Sequence, residues 1–102
     1  MKQTDLAELK ANAADMAARL RIMSHPERLL MLCRLEEGEA SVSELVDLSG
    51  LSQSAVSQHL AMLREEDVVA IRGEAQTRYY RLKDAHLRAI IHALCEICLH
   101  AA

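Results

Sequence analysis

The chain has 102 residues, 51% of them hydrophobic, with 12 basic and 15 acidic side chains for a formal net charge of -3. That length makes one domain, residues 1–102, too small to bury a deep core alone, so pairing with a second copy would help it. No apolar run approaches the roughly 20 residues of a membrane span, and the N-terminus lacks a signal-peptide pattern, so the expected location is the cytoplasm.

Phe and Trp are absent and Leu, Ala, Val, Ile and Met dominate, which favours helices. Thr4 or Asp5 can cap a first helix, with Leu6, Leu9, Met16, Leu20 and Met23 along one side, running to about residue 22. Five alanines between residues 11 and 18 keep it slim enough for close packing against another helix. Ser24 and Pro26 restart the chain as a second helix, since proline suits a first helical turn. Leu29, Leu30, Cys33 and Leu32 are expected to face inward there, until a turn at residues 36–38. Ser43 opens a short third helix over residues 44–48, closed by Gly50.

Next comes LSQSAVSQHLAML, residues 51–63. Val56, Leu60 and Leu63 recur at i, i+4 and i+7, the spacing of an inward-facing helical stripe, and Ser52 can cap the start. The opposite face carries Gln53, Ser54, Ser57 and Gln58. A merely solvated face would usually carry Glu, Lys and Arg, which are better helix formers than serine. Short uncharged donors and acceptors suit the edges of bases instead, although an ordinary exposed face is the competing explanation. A short helix, a glycine turn and this helix together make a helix-turn-helix.

Two β-prone runs follow, residues 68–72 and 77–82, separated by Gly73-Glu74-Ala75-Gln76; they read as a hairpin, or wing. Asp84 can cap a last helix with Leu87, Ile90, Ile91, Leu94 and Cys98 on an apolar stripe. With nothing later in the chain to cover that stripe, it and the first helix are expected to build a homodimer interface. The fold class is therefore mainly α with a small β-hairpin wing, in the order α-α-α-α-β-β-α.

A net negative charge counts mildly against a nucleic-acid partner, because duplex binding draws on basic surface. Distribution matters more than the sum. The acids gather at Glu36, Glu37, Glu39, Glu44 and Asp47 and again at Glu65, Glu66 and Asp67, while Arg64, Arg72 and Arg78 flank the serine-glutamine face. Three cysteines in a small cytosolic chain do not make a disulfide scaffold. Metal binding, redox sensing and inert buried thiols all remain open for them.

The order of elements, with SHPERLLMLC at residues 24–33, LSQSAVSQHLAMLR at 51–64 and EAQTRYYRL at 74–82, resembles the winged helix-turn-helix repressors of the ArsR/SmtB family, and within it the persulfide-responsive branch. The resemblance implies a dimer that binds a palindromic operator in double-stranded DNA and lets go when an inducer is sensed. It places Gln53, Ser54, Ser57, Gln58 and His59 in or beside the major groove, where Gln can bond adenine bidentately and Ser can pair with several base edges. For His59, packing between helices is an equal alternative to base readout. Arg72 and Arg78 would hold the wing to phosphate or the minor groove, with Arg64 nearby.

Three inducers compete. The persulfide branch bridges a second-helix cysteine, matched here by Cys33, to one late in the last helix. Relatives place that partner where this chain has Leu99, so Cys98 is the expected partner and Cys95 the alternative; one residue turns a helix by about 100°. Zinc-sensing members imply a last-helix site shared across the dimer, for which Asp84, His86 and His100 fit three of four ligand positions, with Ile97 in the fourth. Cys33, Cys95 and Cys98 could instead offer soft thiolates to arsenite or copper(I). The paired cysteines of the usual arsenic sensors are absent, because residues 44–47 read Glu-Leu-Val-Asp. An enzyme reading, a thiol oxidoreductase using the C-x-x-C of residues 95–98, would want a cysteine at a helix N-terminus beside a strand. This pair sits late in a terminal helix, and no nucleophile-base set accompanies it, so no enzyme is expected.

Overall fold

The computed structural model describes residues 2–100; the side chain of Thr4, one of the two expected first-helix caps, lies outside the described residues. Helix α1, Gln3–Met23, starts with Lys2 at its N-cap, and the Asp5 carboxylate accepts the Lys2 backbone N–H at 3.4 Å. Most of α1 is exposed, and only its end reaches the interior, through Met23.

Helix α2, Pro26–Glu37, is capped by His25 rather than Ser24: the His25 Nδ1 accepts the Glu27 backbone N–H at 3.2 Å, and Pro26 occupies the first helical turn. Its buried residues are Met31, Leu32 and Leu35, while Leu29 is half-buried and Leu30 exposed. Of the expected inward residues Leu29, Leu30, Cys33 and Leu32, Leu32 is buried and Cys33 packs half-buried against the core, whereas Leu30 is exposed. The stripe holds only in part because α2 is covered on two sides, by the core on one and by the last helix on the other, so no single apolar face describes it. Gly38 ends the helix at φ 148° and ψ -179°, a backbone region open to glycine alone.

Strand β1, Ala40–Ser41, is an element the sequence reading lacks. It leads straight into α3, Val42–Ser49, whose cap is Ser41 and not Ser43. The Ser41 hydroxyl accepts the Glu44 N–H at 3.2 Å, and the Glu44 carboxylate accepts the Ser41 N–H at 3.2 Å, a reciprocal capping box. Gly50, at φ 72°, closes the helix as expected.

Helix α4, Gln53–Glu65, is capped by Ser52, whose hydroxyl accepts the Ala55 N–H at 3.1 Å. Val56, Leu60 and Leu63 are its buried residues, as the periodicity predicts. Strands β2, Val69–Glu74, and β3, Thr77–Leu82, pair antiparallel, with Gly73 opposite Arg78 and Glu74 opposite Thr77. The hairpin is therefore longer than expected: the connection is only Ala75-Gln76, with Ala75 at φ 54°, because Gly73 and Glu74 join the ladder. β1 adds to the other edge of β3, giving the sheet order β1-β3-β2.

Helix α5, Ala85–His100, begins under the Asp84 carboxylate, which accepts the Leu87 N–H at 2.8 Å. Leu87, Ile91 and Cys95 point into the molecule, Ile90 and Leu94 are half-buried, and Cys98 is exposed. The architecture is that of a mainly helical winged helix-turn-helix. Among the described residues no helix is long and apolar enough to cross a membrane.

The two faces of α4 should respond differently to truncation. Leu60 is fully buried, so Leu60→Ala is expected to cost about 2–5 kcal/mol in urea unfolding, whereas Ser57→Ala, on the exposed side, should shift stability by no more than about 0.5 kcal/mol.

Candidate nucleic-acid interface and thiol centre

Gln53, Ser54, Ser57 and Gln58 are all exposed on the side of α4 away from Val56, Leu60 and Leu63. Among the described residues their side chains have no hydrogen-bond partner within the chain, so their donors and acceptors stay available. Gln53 also lines a shallow groove of about 190 Å³ with Ser43, Gln76, Thr77 and Arg78, between the starts of α3 and α4 and the hairpin tip. Sequence reading missed Ser43 and Thr77 as groove residues, since only the return of β3 brings the hairpin tip beside α3.

His59 is not on this face. Its side chain is only 16% exposed, with Nδ1 3.3 Å from the Arg28 guanidinium, Nε2 3.6 Å from the Glu27 carboxylate and its ring 4.9 Å from that of His25. Burial, then the nearby His25 and Arg28, hold its pKa below the ordinary 6.5, against a smaller opposing pull from Glu27. Of the two alternatives for this residue, helix packing describes its surroundings. His25, Glu27 and His59 do bring three potential ligand atoms within 4.8 Å of one another. The His25 Nδ1 lone pair, however, is taken by the Glu27 N–H, so in the neutral ring the proton sits on Nε2, the nitrogen that faces the carboxylate. A cation there would have to displace that proton and also face Arg28, and the cluster is better described as a hydrogen-bonded joint between α2 and α4.

The basic residues divide. Arg64 is exposed in the last turn of α4. Arg78 is exposed too and lies across Gly73 of the facing strand, where an added Cβ would come within 2.6 Å of its guanidinium. Arg72 departs from expectation. It grips the Glu39 carboxylate with two nitrogens, at 3.0 and 2.8 Å, reaches Glu74 at 2.8 Å and stacks 4.7 Å from the Tyr79 ring. The Arg72 hydrogen bonds hold Glu39 below the usual carboxylate range, while Glu39 and then Glu74 push the arginine further up. With two carboxylates on it, Arg72 ties the wing to Glu39, the residue before β1.

In the thiol centre Cys33 is joined to Cys95, with Cα atoms 5.7 Å apart, and Cys98 is a free, exposed thiol. The first-choice partner Cys98 is replaced by the alternative Cys95. The reason is helical phase: Cys95 continues the inward row of Leu87 and Ile91 at intervals of four, whereas Cys98 falls in the exposed final turn. α5 is further tied to α2 by the Arg88 guanidinium on the Glu36 carbonyl, 2.8 Å, and by His92 on the Glu36 carboxylate, 2.7 Å. All three cysteines border one cavity of about 420 Å³, which Leu30, Leu48 and Leu99 also line.

The alternative metal residues stand apart. Asp84 is engaged as a helix cap, His86 is exposed at the start of α5, and His100 is exposed at its end near Glu96, 3.5 Å away. A helical rise over the fourteen residues separating the two histidines is roughly 21 Å, so His86 and His100 could share an ion only across a dimer.

A family model described as bacterial regulatory protein, arsR family, matches residues 25–70. The HTH-type transcriptional regulator YgaV of Escherichia coli (strain K12) is 46% identical over 92 residues, covering 89% of this chain and 93% of that protein. The solved structure of reduced HlyU from Vibrio cholerae N16961 is similar with a TM-score of 0.82 at 41% identity, covering 93% of this chain and 98% of that one. The transcriptional repressor BigR from Xylella fastidiosa gives a TM-score of 0.81 at 35% identity, over 100% and 99% of the two chains.

The half-buried His59 makes stability pH-dependent with a defined sign. Its folded pKa lies below its unfolded value of 6.5, so on acidification the unfolded chain takes up a proton that the folded chain resists, and stability falls as pH drops through that value. The urea midpoint should therefore fall further between about pH 7.5 and 5.5 in the unmodified protein than in His59→Gln. Parallel falls would remove His59 as the source.

Proposed function

The chain belongs to the arsR family of bacterial regulatory proteins, and from that membership we propose that it is a homodimeric transcriptional repressor, released from a palindromic DNA operator when Cys33 is bridged to a cysteine of α5. The observation that carries the reading is a pairing of features: an α4 whose uncharged polar face is free while its other face is buried, and an α2 that touches that helix at one end and a cysteine of α5 near the other.

Each α4 would lie in a major groove, with Gln53 and Gln58 suited to adenine edges and Ser54 and Ser57 to several bases. Arg64 and Arg78, with the groove beside Ser43 and Thr77, would meet the phosphate backbone and set register. Leu6, Leu9 and Leu20 of α1 and Ile97 of α5 are large and exposed, which fits terminal helices covered by a second copy. Two-fold pairing would set the α4 helices at half-sites one turn, about 34–36 Å, apart. Such a protein works by binding and turns nothing over.

The signal proposed is reactive sulfur. In a reducing cytoplasm Cys33 and Cys95 would rest as thiols. A persulfide RSSH would convert them to a disulfide, with release of RSH and H₂S, and further donors would lengthen the bridge by inserted sulfur. The 5.7 Å between their Cα atoms suits the direct bridge. That one HlyU structure is distinguished as reduced is in keeping with a thiol signal in a relative. A second reading, arsenite or copper(I) held by thiolates, draws on the shared cavity of Cys33, Cys95 and Cys98. It differs in a measurable way, since a metalloid would release DNA while bound between thiolates, adding its own mass and forming no sulfur–sulfur bond.

Selection of fragments from the protein's own genomic library tests the DNA reading. The reduced protein should enrich fragments with two-fold symmetry, and Ser57→Ala combined with Gln58→Ala should lose that enrichment while keeping the same thermal midpoint and oligomeric state. Equal enrichment by the double variant would take α4 out of the reading role.

A further inference from the structure

We propose that Cys98 is the entry thiol of the switch, the residue that meets an incoming sulfur electrophile and relays the oxidising equivalent to the Cys33–Cys95 pair. This rests on the thiol-switch reading above and adds a third participant to it. The argument begins with access. Cys95 is 7% exposed and Cys33 half-buried, whereas Cys98 is exposed and borders the same cavity as both. Thiol-disulfide exchange needs the attacking thiolate to reach the sulfur of its target, so a reagent of any bulk meets Cys98 before it can meet Cys95.

The dimer proposed above leaves that approach open. Ile97, which it would cover, lies about 100° around α5 from Cys98. Arg34, Glu36, Glu37, His92 and Glu96 are the polar residues lining the cavity, and the α5 residues among its lining all lie about 100° or more around the helix from Ile97.

The relay has three exchanges, all redox-balanced. The Cys98 thiolate attacks a low-molecular-weight disulfide RSSR, forming Cys98–S–S–R and releasing RS⁻. The thiolate of Cys95, one helical turn away at i-3, attacks the Cys98 sulfur and releases the second RS⁻. Side chains at that spacing have Cβ atoms about 5–6 Å apart, so the intermediate Cys95–Cys98 bridge needs a local adjustment of the last turn. Cys33 then attacks the Cys95 sulfur and expels Cys98, which is restored as a thiolate. In sum two protein thiols are oxidised, and one RSSR is reduced to two RSH.

The requirement for local adjustment also explains direction. The Cys33–Cys95 pair lies where the fold already holds two Cα atoms at 5.7 Å, so the bridge moves inward from the less suited pair to the better one.

Glutathione disulfide is the probe, with alkylation at timed intervals and peptide mass spectrometry to locate each bond. In the unmodified protein the expected end product is Cys33–Cys95 with Cys98 free. Cys98→Ser, and independently Cys98→Ala, should slow its formation at least tenfold without changing its final yield, and Cys33→Ser should accumulate glutathione on Cys98 or a Cys95–Cys98 bridge. If both Cys98 variants form the bridge at the unmodified rate, or if glutathione appears first on Cys33, the relay is wrong while the switch stands. If the unmodified protein forms no Cys33–Cys95 bridge with glutathione disulfide, the relay is wrong; if a persulfide forms none either, the switch falls with it.

Discussion

The structure depends on α2 being held from both sides. Met31, Leu32 and Leu35 bury one side of it in the core, while its other side carries Cys33 and Glu36 against α5. Its N-terminal end meets α4 through His25, Glu27, Arg28 and His59, where two imidazole Nδ1 atoms face N–H donors and both Nε2 atoms face one carboxylate. Arg28 also donates from Nε to the Ile22 carbonyl at the end of α1. A helix packed this tightly transmits displacement as a body, because packed interiors shift between discrete arrangements and do not deform smoothly. Cys33 lies six residues from Glu27, about 9 Å along the axis, so a change in how α5 is tied to Cys33 is a change at the far end of the element that seats α4.

Charge shapes the outer side of the same device. The chain is net negative, and Arg72 is held by Glu39 and Glu74. Few cations remain near the α4 face, so the proposed binding would draw less on counterion release and more on the uncharged face itself. A protein that must let go of DNA on a small signal is well served by that balance, since a strong phosphate grip would survive a modest loss of fit.

Much of this was legible in the sequence, and what was hidden had physical causes. Val56, Leu60 and Leu63 identified the buried side of α4, and Ser52, Asp84 and Gly50 marked their boundaries, because periodicity and capping are local properties. β1 was invisible: two residues, Ala40 and Ser41, carry no pattern, and they form a strand only because β3 lies beside them. The same return of β3 moved the cap of α3 to Ser41 and placed Ser43 and Thr77 in one groove. Arg72 looked free because its partner Glu39 stands 33 residues earlier, and His59 looked equally suited to two roles until α2 was seen against it. The cysteine pairing turned on the helical phase of Cys95 against Cys98, about 60° apart around α5, which only packing of α5 on α2 could answer.

The central claim is that a covalent tie between α2 and α5 governs how α4 is offered to DNA. It is tested most directly by titrating one labelled operator fragment with the same protein preparation, first fully reduced and then persulfide-treated with the Cys33–Cys95 bridge verified. The account predicts that the bridged form binds at least tenfold more weakly, and that Cys95→Ser binds equally well before and after treatment. Equal affinity of the reduced and bridged forms would contradict it.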